Sequence, residues 1–547
     1  MEELEEDRLS SLPKIILHSI MSKLSEKDAA RTSVLSKAWL ETWYTFPILS
    51  FSTSKFMGMS PLQPMEDSEK MRKMLGFCDY VKRSILRFCD QNLAIKEFKL
   101  KVNISEIRHI SRDVDFWLKL ACECGVEVIE YSQDVSVGQD QYHVLPLCVV
   151  EAKSIKKLVL KGYIKIDPTF MNHSIKFFSR LRVLSLWSVL LGDRDAINNL
   201  ISFCPLIEFI TLKTCYVLSS GDGTKEIMKS LSISGVQKLK SVNTFGIQDV
   251  SIDAPSLETL CYYTNDFYVA PFKFDFDRCR SLKELWMWSV PGTFFTNKWF
   301  LELFPKFPFL ESLKLNFCKM PERIDITSVR LKVLKLSHCS NLKEVNIDAP
   351  NLLSFGYIGN GASLPTMSFL RNSSQLEFDI RLQVDYVDLC NLREFVQNIK
   401  PNNVLTSLSL STGAASNDAL DRVAFEVSSP LPRIKHLAIN YVPNIKYLFS
   451  SIVNILLSSC CPATISFSKY SSGKEFIELF YETLMRRKED ECFCTSDNTT
   501  CWWHGLKDVK VTRSSMKKMD ENVDFKTILE SLSTFAPQES IIFRLDF

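Results

Sequence analysis

The sequence predicts an α/β repeat solenoid preceded by a small three-helix unit. Two patterns carry that reading. A Leu-x-x-Leu-x-Leu motif recurs through most of the chain, whereas the first fifty residues space their apolar side chains at helical intervals. Length agrees, because 547 residues exceed one ordinary hydrophobic core and call for modules or an extended array. With 46% hydrophobic and 24% charged residues, long disordered stretches are not expected.

At the N-terminus Pro13 can open a helix, where its missing N–H costs nothing. Ile16, Leu17, Ile20, Met21 and Leu24 then form one broad apolar stripe. Ser25, with Asp28 three residues on, caps a second helix through Val34. Ser36 caps a third, which carries Trp39 and Trp43 on one face. So small a unit has a very small core and should gain stability from a partner.

Asp7-Arg8-Leu9-Ser10-Ser11-Leu12-Pro13, then Ile16-Leu17, then Arg31-Thr32-Ser33-Val34-Leu35-Ser36-Lys37-Ala38-Trp39, resembles a plant F-box from Asp7 to about Phe51. The resemblance implies that residues 1–50 dock onto a Skp-type adaptor, which in turn holds a cullin. It assigns that contact to the Leu12-Pro13 turn and the first helix, with Leu12, Pro13, Ile16, Leu17, Ile20, Leu35 and Trp39 as the adaptor-binding set. Lys14 and Ile15 stand where the family usually carries acidic residues.

Residues 51–90 read as a loop, Ser60 to Glu69, and a connecting helix, Met71 to Asp90. The same family architecture implies that this segment sets the angle between F-box and repeats.

Residues 91–470 hold the repeats. Clear copies begin at Ile155, Leu181, Ile207, Leu257, Leu282, Leu310, Leu331, Leu352, Leu405 and Ile434, at steps of 26, 26, 50, 25, 28, 21, 21, 53 and 29. The two long steps each hide one degenerate copy, with Leu231 to Val242 and Leu376 to Ile380 as candidates. Earlier copies start at Ile95 and Val126. These periods fall in the leucine-rich repeat range of about 20–29 residues, in which each copy supplies a short strand with alternate side chains facing the core. Cys215, Cys318 and Cys339 recur at one further offset and read as small inward-turning residues, not as redox or metal groups. Pro-containing turns separate the strands, among them two Ile-Asp-Ala-Pro segments at Ile252 and Ile347. This irregular style resembles the repeats of plant F-box proteins.

Residues 471–547 change character. Lys474 to Lys488 reads as a helix, Asp508 to Val511 as a strand, Phe525 to Leu532 as a helix and Ile541 to Leu545 as a strand. Trp502-Trp503-His504-Gly505-Leu506-Lys507-Asp508-Val509 is similar to the start of the FBD-like region of plant F-box proteins. A cap is needed here in any case, since the end of a repeat array exposes its core.

Composition narrows the function. With 66 basic against 64 acidic residues, no nucleic-acid footprint or polybasic membrane patch stands out. Tyr447 to Phe467 is apolar, but its serines, Asn454 and Pro462 suit a buried helix–turn–strand better than a membrane span. The acidic start, Met1 to Asp7, lacks a signal-peptide pattern, and seventeen scattered cysteines read as reduced thiols of a cytoplasmic and/or nuclear protein. Cys492, Cys494, Cys501 and His504 offer zinc-type ligands, but the tight Cys-x-Cys spacing argues against a metal. No phosphate loop, nucleophile elbow or His-Glu-x-x-His motif occurs. The chain is therefore expected to be a non-catalytic substrate receptor of a ubiquitin ligase, acting without cofactor by holding a target near the transfer machinery. A repeat scaffold independent of the ligase, or a co-receptor for a small ligand, are the competing readings.

Within each strand, residues between and after the last two leucine positions point away from the core. Those positions give Ser185 and Trp187, Thr211 and Lys213, Cys261 and Tyr263, Trp286 and Trp288, Lys314 and Asn316, and Lys335 and Ser337. Trp187, Lys213, Tyr263, Trp286, Trp288 and Lys314 are the candidate target-binding residues, with the four aromatic rings expected close together and Lys335 beside them.

Overall fold

The computed structural model describes residues 9–58, 67–134, 142–167, 178–192, 196–219, 223–264, 273–291, 294–360, 364–384, 389, 392–399, 405–412, 431–468, 473–485, 502–515, 524–536 and 539–547. The chain divides into two units, Met1–Arg280 and Ser281–Phe547.

The first unit opens with three helices, α1 (Lys14–Met21), α2 (Glu26–Thr32) and α3 (Lys37–Tyr44). The expected caps form: the Ser25 hydroxyl accepts from the Asp28 N–H at 3.2 Å, and Ser36 accepts from the Trp39 N–H at 3.3 Å. Helix α2 stops at Thr32, short of Val34, where a turn takes over. Leu17, Met21, Ala29, Trp39 and Phe46 make the core, and Leu12, Ile20 and Trp43 pack against it.

Strand Ile48–Ser52 follows directly and pairs in parallel with Glu97–Asn103, with Ile48 opposite Glu97. From there a parallel ladder runs in chain order through Val128–Asp134, Lys157–Lys161, Val183–Trp187, Phe209–Lys213, Ser241–Phe245 and Thr259–Tyr263. The connecting helix is longer than its pattern suggested, Asp67–Asp90. A second helix, Ile104–Glu123, crosses behind the ladder's first strands.

The copy hidden in the first long step is Ser241–Phe245, preceded by Leu239. It escaped the motif because Thr244 occupies the third leucine position. Thr244 is fully buried, and its hydroxyl has no hydrogen-bond partner among the described residues. A buried unpaired hydroxyl is costly, so Thr244→Val is expected to raise stability by about 1–2 kcal/mol in denaturant titration.

The second unit repeats the plan. Glu284–Trp288, Ser312–Asn316, Val333–Ser337, Ser354–Asn360, Glu377–Val384, Leu405–Thr412, Arg433–Tyr441 and Cys461–Ser468 pair in parallel, each with the next. Strand Ser540–Asp546 then adds antiparallel to Cys461–Ser468, and Asp508–Arg513 adds to it. Helix Lys474–Met485 seats Phe480 against Phe467, ring centres 5.3 Å apart, and Phe543 meets Phe467 at 5.0 Å.

Behind each ladder stand strands that the repeat motif did not suggest, except that the candidate copy from Leu231 to Val242 begins in one of them and ends in the ladder. Ser230–Ser234, Asp249–Asp253 and Lys273–Asp275 pair in parallel in the first unit, and Arg323–Thr327, Glu344–Ala349 and Thr366–Asn372 in the second. The Ile-Asp-Ala-Pro segments are thus the ends of these strands and not loose turns. A 21-residue step leaves no room for a helix, while the 26- and 28-residue steps hold Ala196–Ser202 and Asn297–Lys306.

The turn that leaves a ladder strand is stereotyped. Ser188, Thr214, Gly246, Ser289, Phe317 and His338 all have positive φ, between 49° and 82°. Each follows a ladder strand and precedes an inward residue: Val189, Cys215, Ile247, Val290, Cys318 or Cys339. Cys215, Cys318 and Cys339 point their thiols at the Leu186, Met287 and Leu315 carbonyls of the preceding strand, 3.6–3.7 Å away. Burial pushes these thiols up to about 12, 11 and 12, which leaves them poor nucleophiles.

Candidate functional site

The N-terminal helices are apolar outside as well as inside. Val34 is 85% exposed, Ile15 75%, Leu35 64%, Leu9 57% and Ile16 44%. Pro13 is exposed as the N-cap of α1. Leu12 and Ile20 are half-buried against the core. Leu17 and Trp39, counted above as contact residues, are 2% and 3% exposed and hold the unit together from inside. An eight-residue helix on a small core buries one narrow face, so the broad stripe divides: Leu17 and Met21 turn inward, Ile16 outward. Leu9, Ile15 and Val34 join the apolar surface. Leu9 and Val34 lie within the F-box-like motif and Ile15 beside its proline, but none of the three falls on the helical stripe.

The helices are tied at two points. The Ser10 and Ser36 hydroxyls lie 2.7 Å apart, and His18 Nε2 lies 3.2 Å from the Thr42 carbonyl. Burial lowers the His18 pKa from its ordinary 6.5, opposed by that carbonyl and assisted by Lys14. The unfolded chain therefore takes up the His18 proton first. Stability from this group is present above pH 6.5 and is lost as pH falls from 6.5 through the lowered folded value. The N-terminal helices should melt at lower temperature in mild acid, and His18→Gln should flatten that dependence.

On the ladder of the first unit, Lys161, Trp187, Lys213, Phe245 and Tyr263 share one row across adjacent strand ends. The Lys161 and Lys213 ammonium groups sit over the Trp187 ring at 4.2 and 4.7 Å, and Lys213 also lies 5.4 Å from the Phe245 ring centre. The Trp187 indole N–H lies 3.0 Å from the Ser185 hydroxyl. Trp187 and Tyr263, expected as near neighbours, are separated in the row by Lys213 and Phe245.

In the second unit Trp286 and Trp288 are exposed on one strand. Lys314 lies over Trp286 at 4.4 Å. Trp288 is 5.4 Å from the Phe317 ring, which stacks on His338 at 4.5 Å and 13°. Phe317 and His338 lie one residue beyond the outward positions of the motif, so only the recurrent following cysteine marked them.

Asp115, His143 and Tyr131 form a carboxylate–imidazole–hydroxyl chain with contacts of 3.0 and 3.3 Å. Burial raises the Tyr131 hydroxyl, which also accepts from the Gln133 amide at 2.7 Å, so the chain pins a helix to the ladder instead of activating a nucleophile. Among the described residues no group of three or more His, Cys, Asp or Glu is disposed to hold a metal ion, and no helix is long and apolar enough to cross a membrane. Cys492, Cys494 and Cys501 lie outside the described residues.

Two family models match. The F-box domain covers residues 9–51, and the leucine-rich repeat domain described as At1g61320/AtMIF1 covers residues 267–519. Neither is a catalytic domain. Similar Arabidopsis thaliana proteins include the F-box/FBD/LRR-repeat protein At1g13570, 29% identical over 38% of this chain and 44% of the relative. The putative F-box/LRR-repeat protein At3g58880 is 28% identical over 47% and 52%, and the F-box protein At1g60400 is 26% identical over 48% and 60%. The chain thus spans about half the length of the curated relatives it matches. It carries an F-box domain and a leucine-rich repeat domain, in the manner of plant F-box/LRR proteins.

Proposed function

We propose that this chain is the substrate-recognition subunit of a cullin–Skp–F-box ubiquitin ligase. F-box domains generally bind Skp-type adaptors, and the observation that carries the reading here is the apolar surface of the F-box-matched helices. Leu9, Ile15, Ile16, Val34 and Leu35 are exposed on a unit whose own core is five residues. A surface of that kind on so small a unit is stabilised by a partner. In this reading Leu12, Pro13, Ile16, Ile20 and Leu35 meet the adaptor, with Leu17 and Trp39 supporting them from beneath. The adaptor links to a cullin, and the protein works in cytoplasm and/or nucleus.

The repeats of each unit then wind as a leucine-rich solenoid, with residues 471–547 as a cap and residues 51–90 joining F-box to repeats. Their outward strand positions hold the target through Trp187, Lys213, Tyr263, Trp286, Trp288 and Lys314. No residue of the chain performs chemistry; proximity raises the effective concentration of the target. Replacing Leu12 and Pro13 with alanine should remove adaptor and cullin from affinity-purified protein while target capture persists. Cullin retained at the wild-type level would contradict the assignment.

A further inference from the structure

Charge is distributed unevenly on the outward face of the first unit's ladder. Near the strand starts, lysines are neutralised by neighbours: Lys157 by Glu130 at 2.7 Å, Lys240 by Glu208 at 2.8 Å. Farther along the row Lys101 is still paired, with Asp134 at 2.9 Å, but at the ends of the strands from Lys157–Lys161 onward the pattern differs. Lys161 and Lys213 have no carboxylate partner among the described residues and instead lie on either side of the Trp187 ring. The outward register positions of the five strands from Lys157–Lys161 to Thr259–Tyr263 are Lys157, Val159 and Lys161; Val183, Ser185 and Trp187; Phe209, Thr211 and Lys213; Ser241, Asn243 and Phe245; and Thr259, Cys261 and Tyr263. None is acidic. An ammonium pair held over an indole with no counter-charge is a site for anions that also bring apolar contact.

We propose that this strip binds an extended acidic segment of a target protein, its carboxylates straddling Trp187 to reach Lys161 and Lys213. The proposal rests on the reading of the ladder face as the target surface and specifies its chemistry. Lys161 and Lys213 are two strands apart, about 10 Å at the usual strand spacing. A polyproline-type segment places residues i and i+3 on one side about 9 Å apart. The preferred sequence therefore has Asp or Glu at every third position, and the polar, uncharged row of Ser185, Thr211 and Asn243 lies beside it to take backbone hydrogen bonds.

The probe is a dye-labelled peptide of repeating Glu-Pro-Pro, compared by anisotropy with Gln-Pro-Pro and Lys-Pro-Pro peptides on the full-length protein. The acidic peptide should bind alone, weaken as salt rises, and weaken about tenfold or more in Lys161→Gln/Lys213→Gln. An unchanged melting temperature would show that this variant keeps its fold. If the acidic peptide does not bind the wild type, or binds the lysine variant equally well, the acidic-segment assignment is wrong. Target capture by Trp187→Ala/Trp288→Ala, measured alongside, tests the underlying surface separately. Capture that depends on the tryptophans while the acidic peptide fails would keep the surface and discard its proposed ligand chemistry; capture indifferent to them would remove both.

Discussion

Trp39→Ala is expected to unfold the N-terminal helices while the strand ladders stay intact. The indole is 3% exposed and packs with Leu17, Met21, Ala29 and Phe46. Truncating a buried tryptophan costs about 3–5 kcal/mol. A core this small supplies about that much in total. Hydrogen exchange should then show α1, α2 and α3 losing protection, with the Glu284–Trp288 to Cys461–Ser468 ladder unchanged. Full protection of α3 in the variant would mean that Trp39 is not the keystone of the unit. Adaptor binding should vanish with the fold, so this variant reports structure, whereas a change at exposed Leu35 reports contact.

The paired change Trp187→Ala and Trp288→Ala is expected to abolish target capture without affecting adaptor binding. Tryptophans dominate binding surfaces because a large rigid area is buried at little entropic cost, and truncating one at an interface centre typically loses about 2 kcal/mol or more. Both rings stand on rigid strands. Trp187 is held from its sides by two lysines, and Trp288 leans on the Phe317–His338 stack. Phe317 adopts φ 50°, a conformation that a bulky residue occupies only when its surroundings demand it. Quantitative recovery of target from cells by the double variant would move the binding surface to the connecting loops.

Much of this organisation is legible in the sequence. Serines 25 and 36 marked two helix starts because a hydroxyl there satisfies an otherwise orphaned N–H, and both bonds form. The Leu-x-x-Leu-x-Leu strands were legible because alternate burial is a local property of the strand, as the Leu331, Leu334 and Leu336 side chains illustrate at 0% exposure. Three features were not legible. Thr244 in a leucine position hid one strand, since tertiary packing tolerated the polar residue. The second row of strands was missed because Ile-Asp-Ala-Pro offers a proline that reads as a turn, while pairing between neighbouring repeats is a long-range property. Nor could a helical stripe tell Leu17 from Ile16, because that depends on where α3 lies.

The lysine–tryptophan strip was half legible. Outward positions give Trp187 and Lys213, and Lys161 follows from the same rule in the copy at Ile155, but that both ammonium groups lie over the one Trp187 ring depends on pairing between strands far apart in sequence. Phe317 and His338 lay one residue outside the motif and became visible only with the left-handed turn that projects them.

Adaptor docking depends on the apolar surface of the F-box helices. Titration calorimetry of the full-length protein with a purified Skp-type adaptor measures it directly. The wild type should bind one adaptor per chain. Ile16→Asp/Leu35→Asp, which changes only exposed positions and should keep the wild-type melting temperature, should bind at least thirtyfold more weakly, roughly the loss of one hot spot. No heat of binding with the wild type, or equal affinity for the doubly charged variant, would contradict the assignment of these helices as an adaptor-docking module.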